Sequence, residues 1–434
     1  MEGLASVRGR EIVQKYCLSG PEESFLNCFH DRHPDASTGI VHARGSEAYN
    51  AIYRSNIQNV RFLYSAAAKP AVLVTPASES HVQSSVICGK TSRLRVRVRS
   101  GGHDYEGMSY VSEGEGFLVV DLVNLRSLTV DIAKGSAWVA AGATVGELYY
   151  RIAKASPTPA SPPDYAPLGG GIGTMLRKYG TAADNIIDAR LVDAQGRLLD
   201  RSSMGKTSSG PSEEAGGRAS GSSVIAEATD APQSPMGRTV HLRFNSLFLG
   251  TRDELLPLMR RNFPDLGLKA EDCKEMTWIE STLYFAGLSG RRPEALLDRS
   301  PGSIAPSRPT SGGSSWRPGE SRCFIMDPFG GKMDEIPETA IAFPHRRGNL
   351  FNIQYFMRWS ETEEVVTRGH LDWMRKLYAF MEPYVSSNPR AAYVNYRDVD
   401  LGRPARPPRL AAVKSRVDRE NFFRNEQSIP PSMN

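Results

Sequence analysis

The spacing of hydrophobic and polar positions changes along the chain and divides it into segments. An apolar run at residues 71–78 ends at a proline, a helical spacing follows at residues 78–90, and arginine then alternates with valine up to Arg99. Alternation with period two is typical of a strand, and a helix between two strands is typical of a βαβ unit. The pattern therefore predicts an α+β domain over residues 66–206, preceded by a helical part at residues 1–65.

A second pattern begins near residue 239. Residues 241–250 and 349–359 alternate aromatic with polar side chains, and two segments with helical spacing lie beside them. This combination predicts an antiparallel sheet backed by helices over residues 239–390. Residues 391–402 read as a strand plus a turn, and a short helix and a tail complete a C-terminal segment over residues 391–434.

Four stretches fit neither pattern because they are rich in proline, glycine or serine, or are short and basic. Such compositions bury too little apolar surface to offset chain entropy, so they predict disorder. They are Ser156–Pro167, Ser202–Gly237, Arg291–Ser321 and Arg403–Arg409. The second of them overlaps a predicted low-complexity insert at residues 207–238.

Composition places the chain among ordinary globular proteins. It has 434 residues, of which 40% are hydrophobic and 23% charged, and a net charge of +5. This excess is too mild to require nucleic acid, and Arg93, Arg95 and Arg97 lack the aromatic partners of a nucleic-acid platform, which favours a solvated face. No apolar run reaches the roughly 18 residues that span a bilayer, and no signal peptide is visible at the N-terminus.

The five cysteines match no metal-site spacing, since the sequence has no CxxC or HxxxH pair. Cys28 and Cys88 are compatible with a disulfide or with two buried thiols, and their positions alone leave both open.

The stretch RSGGHDYEG, which runs from Arg99 to Gly107, is the first candidate for chemistry. Its glycines permit positive φ and close backbone approach, so the stretch is either a simple turn with an incidental histidine or a loop that attaches a cofactor. The later stretch GGGIG, from Gly169 to Gly173, does not have the GxGxxG spacing and does not follow a strand, which argues against a dinucleotide fold.

Six motifs in order carry a family resemblance. They are RVRSGGHDYEGMSY, TMLRKYGTAADNIIDARLVDAQGRLL, EMTWIESTLYFAG, FPHRRGNLFNIQYFMRW, NYRDVDLG and NFFRNEQSIPP. Together they resemble the plant berberine bridge enzyme-like flavoproteins, which are FAD-linked oxidases of the vanillyl-alcohol-oxidase type. The resemblance implies a two-part PCMH-type FAD-binding domain at residues 66–206, a substrate domain, and a C-terminal segment that returns to the FAD domain.

The resemblance also implies how FAD is held. His103 corresponds to the histidine that is bonded covalently to the flavin, and no cysteine stands where many members make a second bond. Ile172 replaces a tyrosine of the family pattern. The implied cofactor-binding residues are His103, Arg99, Ser100, Gly101, Gly102, Asp104, Tyr105, Gly171 and Gly173.

On the substrate side, the resemblance implies that Tyr396 is the catalytic base and Gln354 a second catalytic residue, with Tyr355 and Asn352 in the substrate pocket. A tyrosine with a pKa near about 10 needs a nearby cation to act at neutral pH. Asn352 stands where the family often has a lysine, so that charge is missing. His345 and Arg346 are compatible with an exposed basic turn or with a loop that borders the site.

The implied function is an FAD-dependent oxidoreductase that takes a hydride from a substrate alcohol carbon and is reoxidised by O2 or another acceptor. The resemblance further implies a small-molecule substrate, no nucleic-acid or membrane partner, a monomer, a Cys28–Cys88 disulfide, and secretion to the cell wall despite the missing signal peptide. The competing hypothesis is a catalytically inactive relative without a complete flavin site. A gene model that skips or mistranslates coding sequence would explain the four unusual stretches.

Overall fold

The computed structural model describes residues 20–35, 39–55, 57, 59, 62, 69–104, 106–112, 114, 116–155, 171–204, 221–235, 237–299, 321–359, 361, 363–387, 390–393, 395–396, 398, 400–401 and 408–432. Within them the predicted α+β class with antiparallel sheets is confirmed. Tyr105 and the stretch Ser156–Pro167 lie outside the described residues.

The N-terminal region is built on a four-stranded sheet. Its elements in chain order are α1 (Pro21–Arg32), β1 (Val41–Ala43), α2 (Glu47–Ser55), β2 (Val72–Val74), α3 (Glu79–Thr91), β3 (Arg95–Arg99) and β4 (Phe117–Asp121). The strand order is β1-β2-β4-β3, in which β2, β4 and β3 are parallel and β1 is antiparallel. Strand β4 is buried along its whole length, as its run of apolar residues requires for a strand covered on both faces.

Small elements follow this sheet. They are β5 (Leu128–Asp131), β6 (Ser136–Val139), α4 (Val145–Ala155), α5 (Leu176–Tyr179), β7 (Leu191–Val192), β8 (Leu198–Leu199) and α6 (Arg201–Met204), with 3-10 turns at Leu122–Asn124 and Ala182–Asn185. Helix α4 begins at the capping box that the sequence contains: the Glu147 amide donates to the Thr144 hydroxyl at 3.1 Å, and the Thr144 amide donates to the Glu147 carboxylate at 2.8 Å.

The second sheet is antiparallel throughout, with strand order β10-β9-β11-β12. Its strands are β9 (Gly221–Asp230), β10 (Arg238–Leu247), β11 (Ser321–Pro328) and β12 (Phe351–Arg358). The helices are α7 (Arg252–Asn262), α8 (Trp278–Phe285), α9 (Lys332–Glu335), α10 (Glu364–Phe380) and α11 (Pro408–Val417), with 3-10 turns at Pro264–Leu266, Ala270–Asp272, Pro293–Leu297 and Glu382–Tyr384. None of the helices in the described part of the chain has the length and apolar character needed to cross a membrane.

Three predictions of local structure are wrong. Disorder was expected over Arg291–Ser321, but Pro293–Leu297 forms a 3-10 turn. Disorder was expected throughout residues 207–238, but Gly221–Asp230 forms the inner strand β9, because its Val-Ile-Ala core pairs with strands on both sides. A strand was expected at residues 391–402, but the described residues there lie in loops and turns. Their backbone folds back locally instead, as in the 2.9 Å hydrogen bond from the Tyr396 amide to the Tyr393 carbonyl.

Candidate functional site

The loop that carries His103 begins where β3 ends, at the carboxyl edge of the parallel strands. This edge is where open α/β sheets bind ligands. Arg99, the last residue of β3, is only 1% exposed and donates from Nε and Nη2 to Asp121 Oδ2 at 3.1 and 2.5 Å. Its Nη1 is buried and has no hydrogen-bond partner among the described residues. Arg99 thus fixes the end of the strand and keeps one donor unused.

The backbone around His103 has room only for glycine. Gly102 has a φ of +69°, which L side chains rarely adopt, and a Cβ added at Gly101 would lie 2.5 Å from the His103 ring. The His103 imidazole itself is exposed and makes no hydrogen bond to any described residue. The loop therefore presents an imidazole whose nitrogens are hydrogen-bonded to no described residue.

Two side chains of this loop act within the protein rather than outward. The Ser100 hydroxyl donates to the Ala141 carbonyl. The Asp104 carboxylate accepts from the Glu106 amide at 3.0 Å and from the amide and hydroxyl of Ser109 at 2.7 and 2.9 Å. Asp104 is thus the hydrogen-bonding centre of the turn that follows His103.

A C-terminal connection holds the base of this loop and was missed from the sequence. Arg97 on β3 is 7% exposed and donates from Nη2 to both carboxylate oxygens of Glu426 at 2.8 and 3.0 Å, so the prediction of a solvated face is wrong for it. The next residue, Gln427, donates to the Asp398 carbonyl at 2.6 Å. The motif NFFRNEQSIPP thereby ties the strand that leads to His103 to the segment around Tyr396.

The described part of the glycine stretch, Gly171 to Gly173, packs on the turn that contains Ala182. Gly171 has a φ of +69°, its carbonyl accepts from the Ala182 amide at 3.1 Å, and a Cβ there would fall 2.2 Å from the Ala182 Cβ. The Gly173 carbonyl accepts from the Leu176 amide at 3.1 Å. Ile172, between these glycines, packs against the apolar cluster that also contains Tyr396.

A buried ion pair links the glycine stretch to the second half of the chain. Arg346 is 1% exposed and donates to Asp184 through Nη2 at 2.7 Å and Nη1 at 3.0 Å. Asp184 also accepts from the amide and hydroxyl of Thr181, at the start of the turn that contains Ala182. For Arg346 the exposed-turn interpretation is wrong; an arginine next to a second arginine gives no local sign that it pairs with a residue far along the chain.

His345 lies beside this ion pair. Its Nε2 is 3.2 Å from the Ala392 carbonyl, its ring packs edge-on against Phe343, and burial lowers its pKa. It therefore faces the segment before Tyr396 rather than open solvent.

Tyr396 occupies a partly buried position in the cluster named above. This cluster, called the Tyr396 cluster below, consists of Leu176, Phe329, Met333, Phe343 and Tyr393, with Ile172, Ile341 and Tyr396 against it. The Tyr393 and Tyr396 rings meet edge to face with centroids 5.2 Å apart. The structure thus brings Tyr396 and the glycine stretch to one place, although they are distant in sequence.

The antiparallel sheet separates the remaining candidates by face. Gln354 pairs with Ile325 and Asn352 pairs with Asp327, so the side chains of Asn352 and Gln354 share one face, called the polar face below. Tyr355 points to the opposite face, where its ring packs against Phe324 and Tyr378 of α10. Alternation along β12 therefore places Tyr355 on the opposite face from Asn352 and Gln354.

The residues present fit FAD at the histidine loop. The unoccupied donor of Arg99, the exposed imidazole of His103, and glycines that leave no space for a Cβ form a suitable attachment point. No cysteine exists between residues 156 and 173 for a second bond. The predicted disulfide is confirmed, since Cys28 and Cys88 are bonded with a Cα–Cα distance of 5.6 Å. The described residues contain no group of three or more potential metal ligands.

Comparisons with known proteins show the family of the chain. The model of an FAD binding domain matches residues 70–202, and the model described as berberine and berberine like matches residues 392–430. Berberine bridge enzyme-like 26 of Arabidopsis thaliana is 36% identical over 517 residues, covering 97% of this chain and 96% of that protein. Tetrahydroberberine oxidase of Berberis wilsoniae is 38% identical over 503 residues, covering 94% of each.

A solved structure supports the same fold. Phl p 4, a grass pollen allergen with glucose dehydrogenase activity, superposes with a TM-score of 0.76 at 34% identity and covers 94% of this chain and 100% of its own. The 517-residue alignment is longer than the 434 residues of the chain, so the Arabidopsis relative carries internal segments that this chain lacks.

Proposed function

Because the chain belongs to the berberine bridge enzyme-like family, we propose that it is an FAD-dependent oxidoreductase that removes a hydride from a substrate alcohol carbon. The observation that carries the proposal is the exposed imidazole of His103, which follows two glycines at the carboxyl edge of the parallel strands and has no partner among the described residues. A small molecule is the proposed substrate, and a secreted monomer is the proposed form.

In this proposal His103 holds the cofactor covalently, and Ser100, Gly101 and Gly102 offer backbone amides to its phosphates. Gly171 and Gly173 would line the opposite side. When bound, FAD supplies a ring system that accepts a hydride. The protein contributes the attachment point, the orientation, and a partly buried cluster that limits access of water.

Tyr396 receives the hydroxyl proton of the substrate, and the carbon that bears this hydroxyl loses a hydride. The alcohol thereby becomes a carbonyl compound. O2 or another acceptor then takes up the two electrons. The step requires the phenolate of Tyr396, and Asn352 supplies no charge to favour it. We therefore expect turnover to increase with pH above neutrality, as the phenolate becomes populated.

The test is to express the chain in a secretory host, precipitate it with acid, and measure flavin in the pellet. Flavin should remain in the pellet for the wild type and be lost in His103→Ala. Tyr396→Phe should keep the flavin and reduce turnover by about 100-fold or more. Tyr384→Phe, which changes an exposed tyrosine, is the matched control.

A colourless pellet with no flavin in the supernatant would instead support the inactive relative. The specific observations on that side are the missing internal segments and the missing cysteine. Bound flavin with no turnover on any alcohol would indicate a non-catalytic flavin-binding or sugar-binding protein.

A further inference from the structure

On the polar face of the antiparallel sheet, the Asn352 amide and the Asp327 carboxylate lie side by side but are not hydrogen-bonded to each other. Asp327 on β11 and Asn352 on β12 are directly opposite each other. Side chains in such positions have Cβ atoms roughly 4.5–5.5 Å apart on one face. The Asn352 Nδ2 atom is nevertheless buried without a hydrogen-bond partner among the described residues, so it does not donate to the Asp327 carboxylate.

The Asp327 carboxylate is only partly satisfied. The Ser223 hydroxyl donates to Oδ1 at 2.7 Å, whereas Oδ2 accepts no hydrogen bond from the described residues. No described lysine or arginine forms an ion pair with Asp327, and burial raises the pKa of its carboxyl group. A half-buried acid without a cation is costly to the fold, which makes it a candidate for function.

Another acid on the polar face shows what a structural role looks like. Glu227 on β9 is buried, but its Oε1 accepts from Arg243 Nη2 at 2.7 Å and lies 3.5 Å from His241 Nδ1. Glu227 is thus paired with an arginine of the neighbouring strand, whereas no described lysine or arginine pairs with Asp327.

The position of Asp327 connects it to the proposed reaction centre. Two residues further along the chain, Phe329 packs in the Tyr396 cluster, against which Ile172 also lies. Asn352 is likewise two residues before Gln354 on the same strand. The unpaired donor and acceptor therefore lie at the end of the polar face from which the chain continues to Phe329 in the Tyr396 cluster.

We propose that Asp327, Asn352 and Ser223 form a hydroxyl-binding subsite for a neutral substrate with two or more adjacent hydroxyl groups, a proposal that rests on the proposed function. A hydroxyl donates to a carboxylate and accepts from an amide at the same time, so it satisfies both groups. An ammonium group would donate to Asp327 but offer nothing to Asn352 Nδ2. The subsite would hold hydroxyls that do not react, while Tyr396 takes the proton of the one that does.

The experiment compares D-glucose with benzyl alcohol, which has a single hydroxyl and needs no subsite. In Asp327→Asn the KM for glucose should rise about tenfold or more, because a charge-assisted hydrogen bond is lost, while kcat changes less than about twofold. The KM for benzyl alcohol should stay within about twofold. Asp230→Asn, an exposed acid on β9 that pairs with Arg238, is the matched control, and Ser223→Ala should weaken glucose binding less than Asp327→Asn.

Equal changes in KM for both alcohols, no change for either, or the same loss in Asp230→Asn would overturn the subsite. Calorimetric titration with glucose separates this failure from failure of the proposed function, since it needs no turnover. Protein without flavin that still binds glucose, about tenfold more weakly in Asp327→Asn, would refute the oxidoreductase and retain the subsite. Wild-type protein that binds no glucose by calorimetry and does not oxidise it would overturn the subsite.

Discussion

Replacing Arg346 with methionine should destabilise the protein strongly and loosen the glycine stretch. The arginine and Asp184 side chains are 1% and 7% exposed, and two hydrogen bonds of 2.7 and 3.0 Å join them. Methionine removes the cation and leaves the buried carboxylate, among the described residues, with the two Thr181 side-chain and backbone donors. The turn that Asp184 caps also supplies the amide that holds the Gly171 carbonyl.

The size of the effect follows from burial. Breaking a buried ion pair by removing one partner costs about 3–5 kcal/mol, because the remaining charge is uncompensated. Asp184→Asn should cost a similar amount by leaving Arg346 unpaired. In the double variant no buried charge remains, so its destabilisation should fall short of the sum of the single variants by about 2 kcal/mol or more.

The assay is urea unfolding of wild type, both single variants and the double variant, followed by tryptophan fluorescence, with retained flavin measured on the folded proteins. Arg347→Met is the control, since this neighbouring arginine is exposed and donates to the Asp334 carbonyl at 3.3 Å. Flavin retention should fall in Arg346→Met and stay unchanged in Arg347→Met. A loss below about 1 kcal/mol in Arg346→Met, or additive single variants, would refute the reasoning.

Two further predictions concern the FAD-binding region. Gly101→Ala should slow acid-stable flavin attachment by about tenfold or more and change stability little, because the added Cβ would displace the His103 ring. The control is Gly114→Ala, whose added Cβ would meet nothing within 4 Å and which should attach flavin normally. Normal attachment in both variants would contradict the argument. Replacing Cys28 and Cys88 by serine should lower the free energy of unfolding, measured by urea unfolding, by about 4 kcal/mol, because the bridge closes a loop of 60 residues. A loss no larger than that in a control variant, in which an unbridged cysteine is replaced by serine, would count against the prediction.

Local patterns in the sequence predicted the local structure well. The alternation up to Arg99 corresponds to β3, the capping box at Thr144 to the start of α4, and the two aromatic-polar segments to β10 and β12. These features depend on residues within a few positions of each other, so period and capping chemistry are sufficient. The disulfide and the FAD-binding family came from motif resemblance, because cysteine positions alone left the pairing open.

The contacts that build the candidate site depended on tertiary structure. Arg346 pairs with Asp184 across 162 positions and Arg97 with Glu426 across 329, and no local pattern distinguishes them from solvated arginines. Alternation along β12 gave two faces, but only the tertiary structure showed that α10 packs against the face of Tyr355. The sequence determines which positions of a helix or strand share a face. Which distant element packs against that face is decided only by the tertiary structure, and so is the burial of a charged side chain.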